Sequence, residues 1–465
     1  MRAVERWGYA ALAGAVVLSA GAWWFGVTGE LPLLALAPPA VLLAGLAVAS
    51  AAPSTPLVLA VVLGSSVALL GGDRGVTAAE VVFGVLAYGY LGLWTVRAGA
   101  AREGVLRSGT DVAAALWCTL GIGGGVVLGA LFGADPYDFR ADLQAALFFP
   151  FYFPVKEVVR RHAFGARLLG ALVVGLGVVA AVMTAVHVRA ALAEATAAAE
   201  IVGVRGGVGQ TMMGASLVLA LAALTVVRSR LLGVGLLVAL GVTLGGIVID
   251  KSRALWVALL LAVVILGLLS RQSGRRRLVV AAGGGAVLLV TAALMALGRD
   301  ALLIGTGVLS RFSSLGTAGT DISLLNRFVE SRAALDQIFR NPILGHGWGV
   351  QITYYSPLGE GTQTWAFQHN GYLALWHKLG LWGLLLMVGV WFSTVVRGAW
   401  TARTAALDRA DRAVLNGAVA VLAVFAITAI TSNPFSLMDQ MLTLAVLLGL
   451  VNGIVERERD QRAAL

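Results

Sequence analysis

The sequence predicts an all-α integral membrane protein, a polytopic helical bundle. Of its 465 residues, 59% are hydrophobic and 12% are charged, whereas about a quarter of the residues in soluble domains are charged. Its mean hydropathy of +0.88 is too high for a surface that faces water. Repeated apolar runs of about 20 residues are each long enough to cross a hydrocarbon layer of roughly 30 Å as a helix.

The apolar runs predict about 12–14 transmembrane helices. The predicted crossings are 8–27, 31–51, 55–71, 77–96, 112–133, 143–155, 164–188, 210–227, 231–249, 254–270, 278–298, 370–396, 413–431 and 436–455. The segment 143–155, LQAALFFPFYFPV, is short and contains two prolines. We interpret it as a crossing made by a broken or re-entrant helix.

The distribution of basic residues predicts the topology. Of the 34 basic residues, 22 lie before the first crossing, in alternate short connectors, or in the C-terminal tail. The connectors concerned are 97–111, 156–167, 228–230, 271–277 and 397–412. By the positive-inside rule both termini lie in the cytoplasm. The net charge of +10 therefore indicates membrane topology, and no nucleic-acid partner is expected.

The chain divides into three predicted parts: transmembrane helices with short loops (1–298), a large extracytoplasmic loop (299–369), and C-terminal transmembrane helices with a cytoplasmic tail (370–465). A polar loop of about 70 residues is more often functional than not. Within it, SLLNRFVESRAALDQIFRNP predicts an amphipathic helix that Pro342 ends. Its apolar residues, broadly on one side, are Leu325, Phe328, Leu335, Ile338 and Phe339.

Metal and cofactor sites are not predicted. Cys118 is the single cysteine, and His346 and His369 are too isolated in the sequence to indicate a metal site. Asp135, Asp138 and Asp142 cluster in a short outer loop without a spacing typical of Mg²⁺ or Mn²⁺ ligands. No phosphate-binding loop or dinucleotide motif is present, so no cofactor is expected.

His369 stands where the large loop gives way to an apolar helix, in FQHNGYLALW. One interpretation is an interfacial histidine that merely ends a helix. The other uses the fact that histidine ordinarily titrates near neutral pH, which suits a general base for a hydroxyl nucleophile. The residues alone leave both interpretations open.

Two arginines on the same predicted face precede helices. Arg205 lies in VRGGVGQ, before the crossing 210–227, and Arg253 begins the crossing 254–270. Helix starts favour anions, and one guanidinium group can bind two phosphate oxygens at once. Each could instead be a snorkelling anchor or a salt-bridge partner, Arg253 with Asp250 for example. Arg327, on the loop helix, is our third candidate for a diphosphate clamp, and a charged, solvated helix face is the alternative interpretation of it.

Polar and aromatic side chains of the loop could contact sugars or an acceptor. The candidates are Trp348, Tyr354, Tyr355, Trp365 and Asn370. The aromatic residues would equally suit anchoring of the loop at the membrane interface.

Four segments resemble the O-antigen ligase/polymerase superfamily. NRFVESRAALDQIFRNPILGHGWG and HNGYLALWHKLGLWGLLL resemble its hallmark region, DKSRALWVALLLAVV its Ser-Arg helix entry, and VRGGVGQTMMGA its earlier Arg-Gly segment. The resemblance covers roughly residues 200–395. The Asn-Pro often found in the Arg-Gly segment is replaced here by GQTMMG, and fourteen crossings exceed the number common in the family.

The resemblance implies a GT-C-like membrane glycosyltransferase of the bacterial inner membrane, with its active site on the periplasmic face. Its donor would be a glycan on undecaprenyl diphosphate, in contact with membrane lipids, and its acceptor lipid A-core or a growing glycan. His369 would be the general base, and Arg205 and Arg253 would bind the diphosphate leaving group. Inverting, metal-independent transfer would follow, because fixed cations can neutralise the leaving group.

A different class of protein remains as the alternative: a secondary transporter or flippase for a lipid-linked or small anionic substrate. Such a protein typically has broken helices and polar residues near the middle of the membrane. Here the predicted crossings are nearly free of ionisable groups. The sequence therefore favours the glycosyltransferase.

Overall fold

The computed structural model describes residues 55–70, 78–100, 104–194, 209–250, 252–270, 322–357, 359 and 361–464. These residues are almost entirely helical, and among them one antiparallel two-stranded sheet is present. Predicted crossings 8–27, 31–51 and 278–298 lie outside the described residues.

The helices follow the apolar runs closely. In chain order they are α1 (Pro56–Gly64), α2 (Ala78–Ala100), α3 (Gly109–Leu131, with a π-helical turn at Trp117–Ile122), α4 (Pro136–Ala146), α5 (Tyr152–Arg161), α6 (Ala163–Glu194), α7 (Gln210–Leu224), α8 (Arg230–Asp250), α9 (Arg253–Leu269), α10 (Ile322–Ile338), α11 (Gly371–Thr404), α12 (Arg409–Thr428) and α13 (Met438–Ala463). The strands β1 (Ile352–Ser356) and β2 (Gly361–Trp365) form a hairpin between α10 and α11.

The predicted class, an all-α polytopic membrane protein, is confirmed. Among the described residues, seven helices are long and apolar enough to cross a membrane: α2, α3, α6, α8, α11, α12 and α13. Shorter apolar helices occupy the predicted crossings 55–71, 210–227 and 254–270. The total of 12–14 crossings stays a prediction.

The predicted crossing 143–155 is a broken helix. It consists of the end of α4, a 3₁₀ turn and α5, and each of these pieces packs along α13. At one end, Asp142 on α4 pairs with Lys378 on α11 (2.6 Å). At the other end, Arg160 on α5 donates to Asp460 on α13 (2.9 Å). The segment 143–155 therefore packs along α13 throughout, which supports our interpretation of a broken crossing.

Basic connectors meet at one end of the bundle. Arg160 bonds Asp460, Arg167 bonds Asp408 (2.6 Å), and Arg457 bonds Asp411. The connectors predicted to share one side of the membrane are thus neighbours in space, and we call this the basic end. That it faces the cytoplasm stays a prediction.

The interior of the bundle is more ionic than the sequence suggested. Lys156, the first residue of the predicted basic connector 156–167, is buried and contacts Asp111 (2.8 Å) and Glu456 (3.4 Å). Tyr152 also donates to Asp111 (2.7 Å). These ionisable groups lie immediately beside the ends of predicted crossings, where they point inward and pair with one another.

Candidate functional site

α11 is broken at Gly380, which has a left-handed φ of 69°. The Gly371 N–H donates to Ala429 O (2.8 Å), and the indole of Trp391 donates to Leu422 O (2.9 Å). Gly371 and Trp391 are twenty residues apart, and a straight helix of that length would span about 30 Å. Their acceptors, Ala429 and Leu422, are only seven residues apart, which corresponds to about 10 Å along α12. The first part of α11 therefore lies across the end of the bundle, opposite the basic end.

A glycine-rich loop holds this break. Gly345, Gly347 and Gly349, from the segment NPILGHGWG, all have positive φ. The His346 N–H donates to His377 O (2.9 Å), and the Gly347 N–H donates to Lys378 O (2.7 Å). A side chain at position 347 would collide with the backbone of α3. The loop thus satisfies backbone groups that the break in α11 leaves without helical partners.

A buried ion pair fastens the same region. Lys378 Nζ lies 2.6 Å from Asp142 Oδ1, and both side chains are buried. The other oxygen of Asp142 accepts the Gly349 N–H (2.9 Å). The pair connects α4, the glycine-rich loop and α11, so it secures the platform on which the site stands.

His369 lies just before α11 and is bound to a buried glutamate. Its Nδ1 is 2.7 Å from Glu330 Oε2, and its backbone N–H donates to Glu330 Oε1 (2.5 Å). The imidazole is 39% exposed, whereas the Glu330 side chain is 2% exposed. Because a carboxylate only accepts hydrogen bonds, Nδ1 carries the hydrogen of this bond, so the neutral imidazole has its lone pair on Nε2.

The glutamate is itself supported from the hairpin. The Tyr354 hydroxyl lies 3.4 Å from Glu330 Oε2. Burial and the neighbouring charge of Glu330 raise the pKa of Tyr354. The phenol therefore keeps its proton and donates a hydrogen bond to Glu330. Ser356 donates to Asn326 Oδ1 (2.7 Å), which ties the hairpin to α10 one turn away.

The residue before His369 is also fixed. Gln368 Nε2 bonds His377 Nδ1 (2.8 Å), and His377 Nε2 bonds Gln337 Oε1 on α10 (2.8 Å). These bonds join Gln337 on α10 to His377, which follows His369 in the chain, and through His377 to Gln368, which precedes it. His369 is consequently held by its side chain, its own N–H and its neighbour.

Three helix starts come to this end of the bundle. α7, α9 and α11 begin at Gln210, Arg253 and Gly371, around the C-terminal end of α12. Leu255 and Phe425 both adjoin Gly214, and Tyr372 donates to Ala426 O (2.5 Å). The positive ends of three helix dipoles therefore lie on the side of the protein where His369 lies.

The three predicted arginines differ in how far the structure describes them. Arg253 is the first residue of α9, at the same end as His369, and the structure describes its backbone only. Arg205 lies outside the described residues. Arg327 is half-buried on α10, three residues before Glu330.

The predicted sugar contacts separate into two groups. Trp348 is 1% exposed and packs against Trp117, with ring centroids 6.5 Å apart, and Tyr354 is buried against Glu330. Neither ring is open to a sugar here. Tyr355 and Trp365 are exposed, but the strand register places them on opposite faces of the hairpin. They therefore do not form one stacking surface.

Asn370 has a structural role in the described geometry. Its side-chain oxygen accepts the N–H groups of Tyr372 and Leu373, both at 3.1 Å. It is thus the N-cap of α11. This bond fixes the start of the helix immediately after His369.

Sequence inspection did not single out Glu330, Gln337 or Gln368. A signal was nevertheless present, because polar Asn326, Glu330 and Gln337 recur on one side of the amphipathic helix. Ile338, which we expected on the same side of the helix as Leu325 and Phe328, is instead buried on that inner side. The polar side of α10 could therefore have been proposed as the side that faces a site.

Fold and site together define a polytopic helical membrane protein with a carboxylate–histidine pair at one end of its bundle. Residues 213–388 match the family model described as O-antigen ligase. The match runs from α7 into α11 and confirms the predicted resemblance to the O-antigen ligase/polymerase superfamily. No curated protein matches the chain.

The family match supports a function of the O-antigen ligase/polymerase type in general terms. A lipid-linked glycan and an acceptor are the substrates that such a function implies. The matched segment includes Arg253, Arg327, Glu330 and His369, whereas Arg205 precedes it.

Proposed function

We propose that the protein transfers an oligosaccharide from undecaprenyl diphosphate to a sugar hydroxyl, at the outer face of the bacterial inner membrane. The acceptor is lipid A-core in a ligase, or a growing glycan in a polymerase. The Glu330–His369 pair is the observation that carries this proposal. It offers an oriented imidazole at the end of the bundle where three helices begin.

His369 is the general base in this reaction. Its Nε2 takes the proton of the acceptor hydroxyl while the oxygen forms a bond to the anomeric carbon. The bond from that carbon to the diphosphate oxygen breaks on the opposite face, so the configuration inverts. The proton of the hydroxyl ends on His369, and the electron pair of the broken bond leaves with the diphosphate, so the step balances.

Fixed positive charge stabilises the departing diphosphate. We assign this role to Arg253 and Arg205, each at or before a helix start, with Arg327 on α10 as a third contact. Guanidinium groups and helix starts both favour phosphate oxygens. Because these charges are fixed in place, we propose that the transfer does not depend on a metal ion.

The break at Gly380 is also a feature expected of a transporter. In this chain, however, the carbonyls of His377 and Lys378 accept from the glycine-rich loop, and the Leu381 N–H donates to Pro342 O (2.9 Å). These three backbone groups at the break are already paired within the protein. This pairing favours a fixed site over a transport pathway.

The test uses purified protein in lipid nanodiscs, a synthetic undecaprenyl-diphosphate oligosaccharide and excess EDTA. We expect the wild type to release undecaprenyl diphosphate when an acceptor is added, and His369→Ala to lose this release. The matched control is His162→Ala, an exposed histidine at the basic end. If the wild type moves the lipid across a bilayer without releasing diphosphate, the transporter is correct and our proposal is wrong.

A further inference from the structure

Helix α10 has its polar side inside and its apolar side outside. Asn326 and Glu330 are buried and hydrogen-bonded. Large apolar side chains on and just beyond the helix are each between 52% and 68% exposed: Ile322, Leu325, Phe328, Phe339, Ile343 and Leu344. A helix that faces water on its outer side has the opposite arrangement. An outward surface of this kind indicates a partner that is not water.

The exposed apolar residues form one continuous surface. Leu325, Phe328 and Phe339 are separated by three and eleven residues, spacings that return to the same side of a helix. Ile343 and Leu344 continue this surface beyond the end of α10. We call these residues, together with Ile322, the outer apolar surface.

This surface joins the membrane-facing side of α11. Pro342 O accepts both the Leu381 N–H (2.9 Å) and the indole N–H of Trp376 (2.9 Å). The Phe339 ring lies 6.3 Å from that of Trp376. Leu381 begins the part of α11 whose apolar side chains point outward toward lipid. The outer apolar surface is therefore continuous with the lipid-facing belt of a transmembrane helix.

The exposed charges on this side suit lipid headgroups. Arg332 lies between Phe328 and Phe339 on the exposed side, and Arg340 follows the end of α10. Asp336 is an exposed acid near the edge of the same side. Basic side chains among exposed apolar ones are typical of helices that lie in the headgroup region, with the cations at the level of lipid phosphates.

We propose that α10 lies on the membrane surface, with the outer apolar surface inserted into the adjoining leaflet. The bilayer is its partner, and insertion to the boundary of the acyl chains is about 5–10 Å for such helices. The inner side of α10 holds Glu330 and, through it, His369. The bilayer thereby sets the height of His369 above the membrane. If the proposed function is correct, a lipid-linked diphosphate meets His369 at this height, and only this consequence rests on the proposed function.

The test is site-directed spin labelling of the full chain in lipid nanodiscs. Cys118 is the single cysteine, so a Cys118→Ala background allows one label at a time. Nitroxides are placed by Leu325→Cys, Phe328→Cys and Phe339→Cys, with Thr362→Cys, an exposed polar position on the hairpin, as the control. Collision rates are measured with oxygen, which concentrates in lipid, and with a water-soluble nickel chelate.

We expect a severalfold higher ratio of oxygen to nickel collisions at positions 325, 328 and 339 than at 362. Ratios equal to that of the control would show that water covers this surface, and the proposal would be wrong. Low collision rates with both reagents at all three positions would show that protein covers it, which also overturns the proposal. None of these measurements depends on transferase activity, so failure of this proposal is distinguishable from failure of the proposed function.

Discussion

Glu330 and His369 are 39 residues apart, yet one carboxylate binds both the ring and the backbone of the histidine. The carboxylate comes from the loop helix α10, and the histidine immediately precedes the cap of α11. The bond at Nδ1 sets the tautomer, and the bond at the backbone N–H sets the position of the residue. Together they hold a partly exposed imidazole whose Nε2 is the ring nitrogen that Glu330 does not bind.

Replacement of Glu330 tests this positioning role. We expect Glu330→Ala to lower kcat toward the level of His369→Ala, since a general base typically contributes about 10²–10⁴-fold. Glu330→Gln should fall between the wild type and Glu330→Ala, because its amide oxygen can still accept from Nδ1. Asp336→Asn, exposed on the same helix, is the matched control for steady-state kinetics.

A purely structural role for Glu330 would give a different pattern. It would lower the unfolding temperature of Glu330→Ala and leave kcat per folded molecule unchanged. The nitrogen chemical shifts of His369 in selectively labelled protein provide an independent check, because loss of the carboxylate should mix the two tautomers.

Arg253→Gln should weaken use of the lipid-linked donor. A hydrogen bond to a charged group is worth about 1.5–3 kcal/mol, so we expect kcat/KM for the donor to fall roughly 10- to 150-fold. Arg253→Lys should recover part of this loss, since it keeps the charge but not the paired geometry. Arg230→Gln, at the start of α8 near the basic end, is the control, and equal effects at both positions would contradict a specific diphosphate contact.

Lys378→Met should destabilise the protein because it leaves Asp142 buried without its cation. Breaking one side of a buried ion pair typically costs about 3–5 kcal/mol. The double variant Lys378→Met, Asp142→Asn should recover much of that loss, since no unpaired charge remains and the amide oxygen can still accept the Gly349 N–H. Denaturant unfolding in detergent gives the coupling free energy, and simply additive losses would show that the pair is not coupled.

Gly380→Ala should lower both stability and activity. The backbone conformation of Gly380, with φ 69° and ψ −177°, is essentially confined to glycine and costs another residue about 1–3 kcal/mol, and the new methyl group would collide with Ile343 O. Gly389→Ala is the matched control on the same helix, because a side chain there meets open space. Thermal unfolding of the two variants gives the comparison, and an unchanged Gly380→Ala protein would mean that the break in α11 is not required.

Several elements could be predicted because their causes are local. The crossings 210–227 and 254–270 correspond to α7 and α9, and the helix expected between Ser323 and Pro342 corresponds to α10. Apolar length and proline define such segments within a few residues of chain. The start of α11 at Gly371 likewise follows from the capping residue Asn370.

The hairpin, the break in α11 and the buried charges could not be predicted in this way. Trp348 illustrates the reason, since exposed and buried tryptophans are indistinguishable in a loop sequence. Lys156 was placed in a basic connector because its arginine neighbours belong there, whereas its own side chain turns inward.

From the sequence alone we could predict that this chain is a polytopic helical membrane protein, where most of the described helices lie, and that His369 stands at the start of one of them. These features depend on the length of apolar runs and on neighbouring residues. Tertiary structure alone decided that Glu330 orients His369, that Lys378 pairs with Asp142 236 residues away, and that the first part of α11 lies across the bundle. Such pairings depend on how separate helices pack, and no pattern within a short segment of sequence records the identity of a distant partner.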